Sequence, residues 1–214
     1  MKSADTNSYR TKIKICGIMR PEDALLAADL GADALGFIFA ESPRQVVPEI
    51  AREIISLLPP FVNSVGVFVD EEQESVREIA AYCKLDLVQL HGNESSGYCK
   101  ALGLKALKVI RVKDEKSIES MASYRGTVQG FLLDTYVKGL PGGTGKTFNW
   151  ELAKQAKKYG PVIISGGLTP DNICEAIEKV KPYGVDVNSG VEASPGIKDP
   201  DKLKLLFSKA RTLL

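Results

Sequence analysis

Histidine is nearly absent from this 214-residue chain: His91 is the only one. The four cysteines, Cys16, Cys83, Cys99 and Cys174, stand far apart and form no C-x-x-C pair. These scarcities leave neither a ligand spacing for zinc nor a disulfide framework, so no metal and no cofactor is expected. Reduced thiols in a cytoplasmic protein fit the pattern. An excess of charge is missing too. There are 28 lysines and arginines against 27 aspartates and glutamates, a formal net charge of +1. That balance excludes the basic footprint that nucleic acid or an anionic membrane would require. No apolar run approaches the ~18 residues of a spanning helix. The N-terminal MKSADTNSYR is polar and lacks the order of a secretion signal, so residues 1–11 are expected to be a loose extension. The expected partner is a small molecule, bound by a monomer or homodimer.

A nucleotide-binding loop is also missing, although one stretch imitates it. Residues 139–147 read GLPGGTGKT. A P-loop needs G-x-x-x-x-G-K-[ST] between a strand and a helix, so that backbone N–H groups and the lysine converge on phosphates. Counted back from Gly145, Lys146 and Thr147, the first glycine should stand at 140, where the chain has Leu140. The first strand ends in Cys16 and Gly17 with no G-x-G-x-x-G, which argues against a dinucleotide-binding open sheet.

What is present is a repeat. Short runs rich in Val, Ile, Leu and Phe recur at 12–18, 34–39, 64–70, 85–91, 105–112, 130–134, 161–167 and 183–190. Runs of this kind suit parallel strands buried on both faces. Between them lie stretches with apolar residues at helical spacing, the first opening at Pro21 and closing at Gly31 as helix start and stop signals require. With 44% hydrophobic residues and no shift of composition that would mark a linker, residues 12–214 are expected to form one domain. Eight βα units in about 200 residues describe a minimal (β/α)8 TIM barrel.

In such a barrel the chemistry lies at the C-terminal ends of the strands. SGG at 165–167 and NSG at 188–190 close the seventh and eighth strands. Glycine-rich turns at these two places let backbone amides approach an anion, so Gly166, Gly167, Ser189 and Gly190 are candidates to hold a phosphate. Cys16 ends the first strand. It is either a small buried hydrophobe or a base whose pKa is lowered by the positive field of a phosphate-binding face. Asp134 closes GFLLD, either as a turn carboxylate or as a partly desolvated general acid. A base and an acid across one mouth make isomerisation of a small phosphorylated compound the economical expectation. Arg44, after Ser42 and Pro43, could grip a carboxylate. His91 is read as structural or substrate-contacting. Cys83, Cys99 and Cys174 fall in helical patterns and are read as packing.

The set KICGI (14–18), SPR (42–44), VGVF (65–68), VQLHG (88–92), LLD (132–134), GGTG (142–145), ISGGL (164–168) and SGVE (189–192) resembles the phosphoribosylanthranilate isomerase family of tryptophan biosynthesis. The resemblance implies an Amadori rearrangement, converting N-(5-phosphoribosyl)anthranilate to 1-(2-carboxyphenylamino)-1-deoxyribulose 5-phosphate without metal or cofactor. It casts Asp134 as the general acid on the ribose ring oxygen, Cys16 as the base that removes the C2 proton, and Arg44 as the grip on the anthranilate carboxylate. Family members often read SSGVE where this chain has Asn188, which touches one side-chain hydrogen bond but not the backbone site. The rivals are the histidine-pathway Amadori isomerase, which typically uses two aspartates, the indole-3-glycerol-phosphate synthase, which uses a lysine and glutamates, and a non-catalytic phosphate-binding barrel. In the sixth βα loop, Gly142, Gly143 and Gly145 are expected to form a lid, with Lys146 adding positive field.

Overall fold

A computed structural model of the chain describes residues 10–134 and 150–212. Eight parallel strands close into a barrel in sequence order, with the first pairing to the eighth. They are β1 (Lys12–Cys16), β2 (Ala34–Ile38), β3 (Asn63–Phe68), β4 (Leu87–Leu90), β5 (Ala106–Arg111), β6 (Gly130–Asp134), β7 (Val162–Ser165) and β8 (Gly184–Val187). The helices between them are α1 (Pro21–Asp29), α2 (Pro48–Ser56), α3 (Gln73–Cys83), α4 (Ser96–Leu102), α5 (Glu115–Glu119), α6 (Trp150–Ala156), α7 (Ile173–Val180) and α8 (Pro200–Arg211). The chain therefore folds as the (β/α)8 barrel that its repeat predicts.

Local signals account for the helix starts. Pro21, Pro48 and Pro200 open their helices with a φ already set and no N–H to waste. The Asp199 side chain caps α8 by accepting from the backbone of Asp201 and Lys202. Residues 115–126 read as one helix in the sequence, yet α5 ends at Glu119 and a 3-10 turn follows over Ser120–Tyr124. Ser120 and Ser123 return their hydroxyls to the carbonyls of Ser117 and Ser120, a local bond that competes with the regular helical ladder.

The alternation along the strands divides the core into two. Outward residues such as Ile13, Ile15, Leu35, Phe37, Phe131, Leu133, Val185 and Val187 pack under the helices against Ala24, Ile54, Ala153, Ile177, Leu206 and Phe207. Leu107, Val109, Leu132 and Ile163 form a separate buried cluster with Leu87, filling the barrel's lumen from the inward face. The lumen also buries charge. Lys14 and Asp186 lie inside it at 4% and 5% exposure, in strands otherwise read as apolar. After β8 the chain adds an antiparallel hairpin, β9 (Glu192–Ser194) and β10 (Ile197–Lys198), before α8. Among the described residues no helix is long and apolar enough to cross a membrane.

Candidate active site

A cavity of about 200 Å3 opens at the C-terminal end of the barrel. Cys16, Gln89, His91, Asp134, Ser165, Gly166, Gly167, Asp186, Asn188, Ser189 and Gly190 all line it. The sequence placed seven of these eleven residues as candidates, and the fold brings them to one wall-to-wall space.

The turns after β7 and β8 form one side. Gly166 and Gly167 have φ of 92° and 68°, so a residue with a side chain would be strained in this turn. Ser189–Val191 is a single 3-10 turn packed against it. A methyl group on Gly190 would land on the Leu168 carbonyl oxygen, so only glycine lets the two loops meet. The Asn188 side chain, at the position that departs from the family pattern, accepts a hydrogen bond at 3.0 Å from Lys198 Nζ.

Opposite lies a chain of polar side chains. His91 Nε2 stands 3.5 Å from Asp134 Oδ2, and His91 Nδ1 is 3.4 Å from Gln89 Nε2. Gln89 Oε1 in turn accepts from Lys14 Nζ at 3.0 Å, and Lys14 Nζ donates to Asp186 Oδ1 at 2.8 Å. Because the Gln89 oxygen is taken by Lys14, its NH2 faces His91 Nδ1. With Nδ1 turned to that amide, Nε2 is the ring nitrogen that faces Asp134.

Burial is the largest influence on the Cys16 thiol and pushes its pKa up. Lys14 and Lys198 pull it down and Asp186 pushes it up, leaving it raised overall. This corrects the expectation of a thiol acidified by a positive rim. The cations are present, but the sulfur lies so deep in the barrel that the loss of hydration outweighs them.

Arg44 is anchored rather than loose. Its Nε donates to both carboxylate oxygens of Glu192 at 2.9 and 3.1 Å, and its Nη2 donates to Oε2 at 2.7 Å. Glu192 also accepts from Lys198 Nζ at 2.9 Å. A Cβ on Gly17 would stand 3.0 Å from Arg44 Cδ and 2.7 Å from Asn188 Oδ1, so the glycine after Cys16 makes room for both. Two cations thus share one buried anion, leaving an excess of one positive charge at this corner.

Lys14 and Glu192 stand inside the motifs KICGI and SGVE without a role read for them, and Asp186 and Gly36 were not singled out in the sequence. A signal for Lys14 existed: in KIKIC, strand alternation puts Lys14 and Cys16 on one face, and a charge in an apolar parallel strand points at the lumen. Of the remaining candidates, Gly142, Gly143, Gly145 and Lys146 lie outside the described residues. Cys83 and Cys99 are buried, as packing residues should be, and Cys174 is half-buried. No group of three or more histidine, cysteine, aspartate or glutamate side chains suited to a metal occurs among the described residues.

Known proteins are similar to this chain along nearly its whole length. The family model described as N-(5'-phosphoribosyl)anthranilate (PRA) isomerase matches residues 13–209. The N-(5'-phosphoribosyl)anthranilate isomerase of Geotalea uraniireducens is 53% identical over 204 residues, covering 95% of this chain and 100% of its own. That of Moorella thermoacetica is 52% identical over 201 residues, covering 94% of this chain and 89% of its own. The crystal structure of phosphoribosyl anthranilate isomerase from Thermotoga maritima superposes with a TM-score of 0.88 at 43% identity, covering 94% of this chain and 99% of its own. A phosphoribosyl anthranilate isomerase in complex with reduced 1-(o-carboxyphenylamino)-1-deoxyribulose 5-phosphate superposes at 0.84 with 41% identity and the same coverage. A barrel with thiol, carboxylate and paired glycine turns at one mouth, matched along nearly its whole length, belongs to the N-(5'-phosphoribosyl)anthranilate isomerase family.

Proposed function

We propose that this chain isomerises N-(5'-phosphoribosyl)anthranilate to 1-(o-carboxyphenylamino)-1-deoxyribulose 5-phosphate, with Asp134 as general acid and Cys16 as general base. The observation that carries the assignment is the shared cavity: Cys16, Asp134 and both glycine turns line one space of about 200 Å3. The phosphate rests on the backbone of Gly166, Gly167, Ser189 and Gly190, which anchors one end of the substrate. The anthranilate carboxylate meets Arg44, whose guanidinium is held by Glu192 through Nε and Nη2.

Between these anchors lies the ribose. Asp134 protonates the ring oxygen, the C1–O bond breaks, and the nitrogen lone pair forms an iminium. The Cys16 thiolate then takes the proton from C2. The electrons of that C–H bond form the C1–C2 double bond of an enolamine, which tautomerises to the ketone. A deeply buried thiol is a strong base once ionised, since the factor that raises its pKa also strips its thiolate of water. The substrate's iminium supplies positive charge at the moment the base is needed.

Loss of phosphoribosylanthranilate fluorescence with purified protein tests the assignment. Asp134→Asn and Cys16→Ala should each lower kcat by about 100-fold or more while leaving the circular dichroism spectrum unchanged. Normal turnover in either variant removes that residue from its role. Turnover of the histidine-pathway substrate alone would replace the assignment as a whole. A cytoplasmic setting fits four free cysteines. The assembly is a monomer or a homodimer, which sedimentation velocity distinguishes.

A further inference from the structure

We propose that Lys14 is a positioning residue for the base: held by Asp186 and Gln89 inside the barrel, its ammonium stands beside the Cys16 sulfur and stabilises the thiolate. This role rests on Cys16 being the base of the isomerisation.

Lys14 and Cys16 are two residues apart on β1, on its inward face. Gly36 of β2 is in register with Cys16. A Cβ at Gly36 would stand 2.7 Å from Cys16 Sγ and 3.1 Å from Lys14 Nζ, so the two groups converge over the bare Cα of a glycine. The ammonium has three N–H bonds. One goes to Asp186 at 2.8 Å and one to Gln89 at 3.0 Å, which fixes the ammonium on the face of β1 that carries the thiol. Both members of the ion pair are nearly inaccessible, with side-chain exposures of 5% and 6%. Buried ion pairs are commonly no more stable than apolar residues of the same volume, so packing alone gives no reason to place one beneath the reacting sulfur.

The charged groups facing the thiol come from several elements. Lys14 on β1 and Lys198 on β10 favour the thiolate, while Asp186 on β8 opposes it. Arg44, in the loop after β2, also senses its charge. Lys14 itself remains an ammonium. Burial is the largest single influence against its charge, but Asp186 and Cys16 together outweigh it. The proton balance is therefore simple: the thiol proton leaves to water in the open cavity, Lys14 keeps its three, and the thiolate later accepts the substrate's C2 proton.

Charge makes the test directional. The rate of Cys16 alkylation by iodoacetamide, read by mass spectrometry of the Cys16 peptide across pH, reports the thiol's midpoint in each folded variant. Lys14→Met should raise that midpoint by about one unit or more, slowing alkylation roughly tenfold at any pH below it. Asp186→Asn should lower the midpoint, because it removes the charge that opposes the thiolate. The acid limb of kcat/KM in Lys14→Met should move to higher pH with the thiol. A Lys14 that only fills space would reduce activity without moving the midpoint. A folded Lys14→Met with an unchanged or lowered midpoint overturns the proposal. Should Lys14→Met fail to fold, an unchanged or lowered midpoint in a folded Lys14→Gln, which removes the charge and keeps a polar group, overturns it instead. Full activity of Cys16→Ala would refute the base assignment while leaving the midpoints untouched, so the two failures are distinguishable.

Discussion

Replacing Glu192 with glutamine keeps the shape of the Arg44 corner and deletes the one negative charge that two cations share. The Glu192 carboxylate takes three contacts from Arg44 at 2.7 to 3.1 Å and one from Lys198 at 2.9 Å. The Lys198 side chain is 0% exposed. Breaking a buried pair by removing one partner costs about 3–5 kcal/mol, because the remaining charge is left uncompensated. Two features place this case at the lower end. Lys198 retains Asn188 O and Oδ1 as acceptors at 3.3 and 3.0 Å. Burial already lowers its pKa, so it can release its proton rather than endure an unpaired charge. About 3 kcal/mol in a chain of this length is a fall in Tm of roughly 6–12 °C. The pH dependence follows from the carboxylate. Burial pushes the Glu192 pKa up and is the largest single influence, but the hydrogen bonds and charges of Arg44 and Lys198 outweigh it and hold the value low. A depressed folded value contributes stability that is complete above the unfolded carboxylate value of about 4.3 and is lost as pH falls through the folded one. Thermal melts followed by circular dichroism should therefore show the full gap between parent and variant at pH 7, closing below about pH 4. Adding Lys198→Met to Glu192→Gln should restore part of the lost Tm. A gap under about 1 °C at pH 7, a gap that widens on acidification, or no recovery in the double variant would refute the reasoning.

Two further substitutions separate the ends of the substrate. Gly190→Ala drives a methyl group into the Leu168 carbonyl and must part the turns after β7 and β8; KM should rise at least about tenfold, and an unchanged KM would exclude these turns as the phosphate site. Arg44→Lys keeps the charge but loses the fork that engages both oxygens of Glu192. Its KM should rise about tenfold with kcat less affected, and equal losses in both would place Arg44 in the transition state instead.

Much of this protein was legible in the sequence. Strand ends could be read because the apolar runs, the prolines at 21, 48 and 200 and the glycine turns are local signals, and a barrel puts every strand end at one mouth. Position alone therefore made Cys16, Asp134 and the turns after β7 and β8 candidates. The lumen was not legible in the same way. Lys14, Gln89 and Asp186 lie 75 and 172 residues apart from Lys14 outwards, and they meet only because β1 pairs with β8 and the barrel brings β4 across from them. Nor could composition show that Glu192, on a hairpin after the last barrel strand and itself paired with Lys198, holds Arg44 from 148 residues away. The thiol makes the same division. Its place at the end of β1 follows from alternation along five residues, whereas its raised pKa depends on how deeply the closed barrel buries it and on which charges from distant strands surround it. Local periodicity determined the elements and the rim; only barrel closure, which sets distance and hydration between residues remote in sequence, decided the electrostatics of the Cys16 thiol.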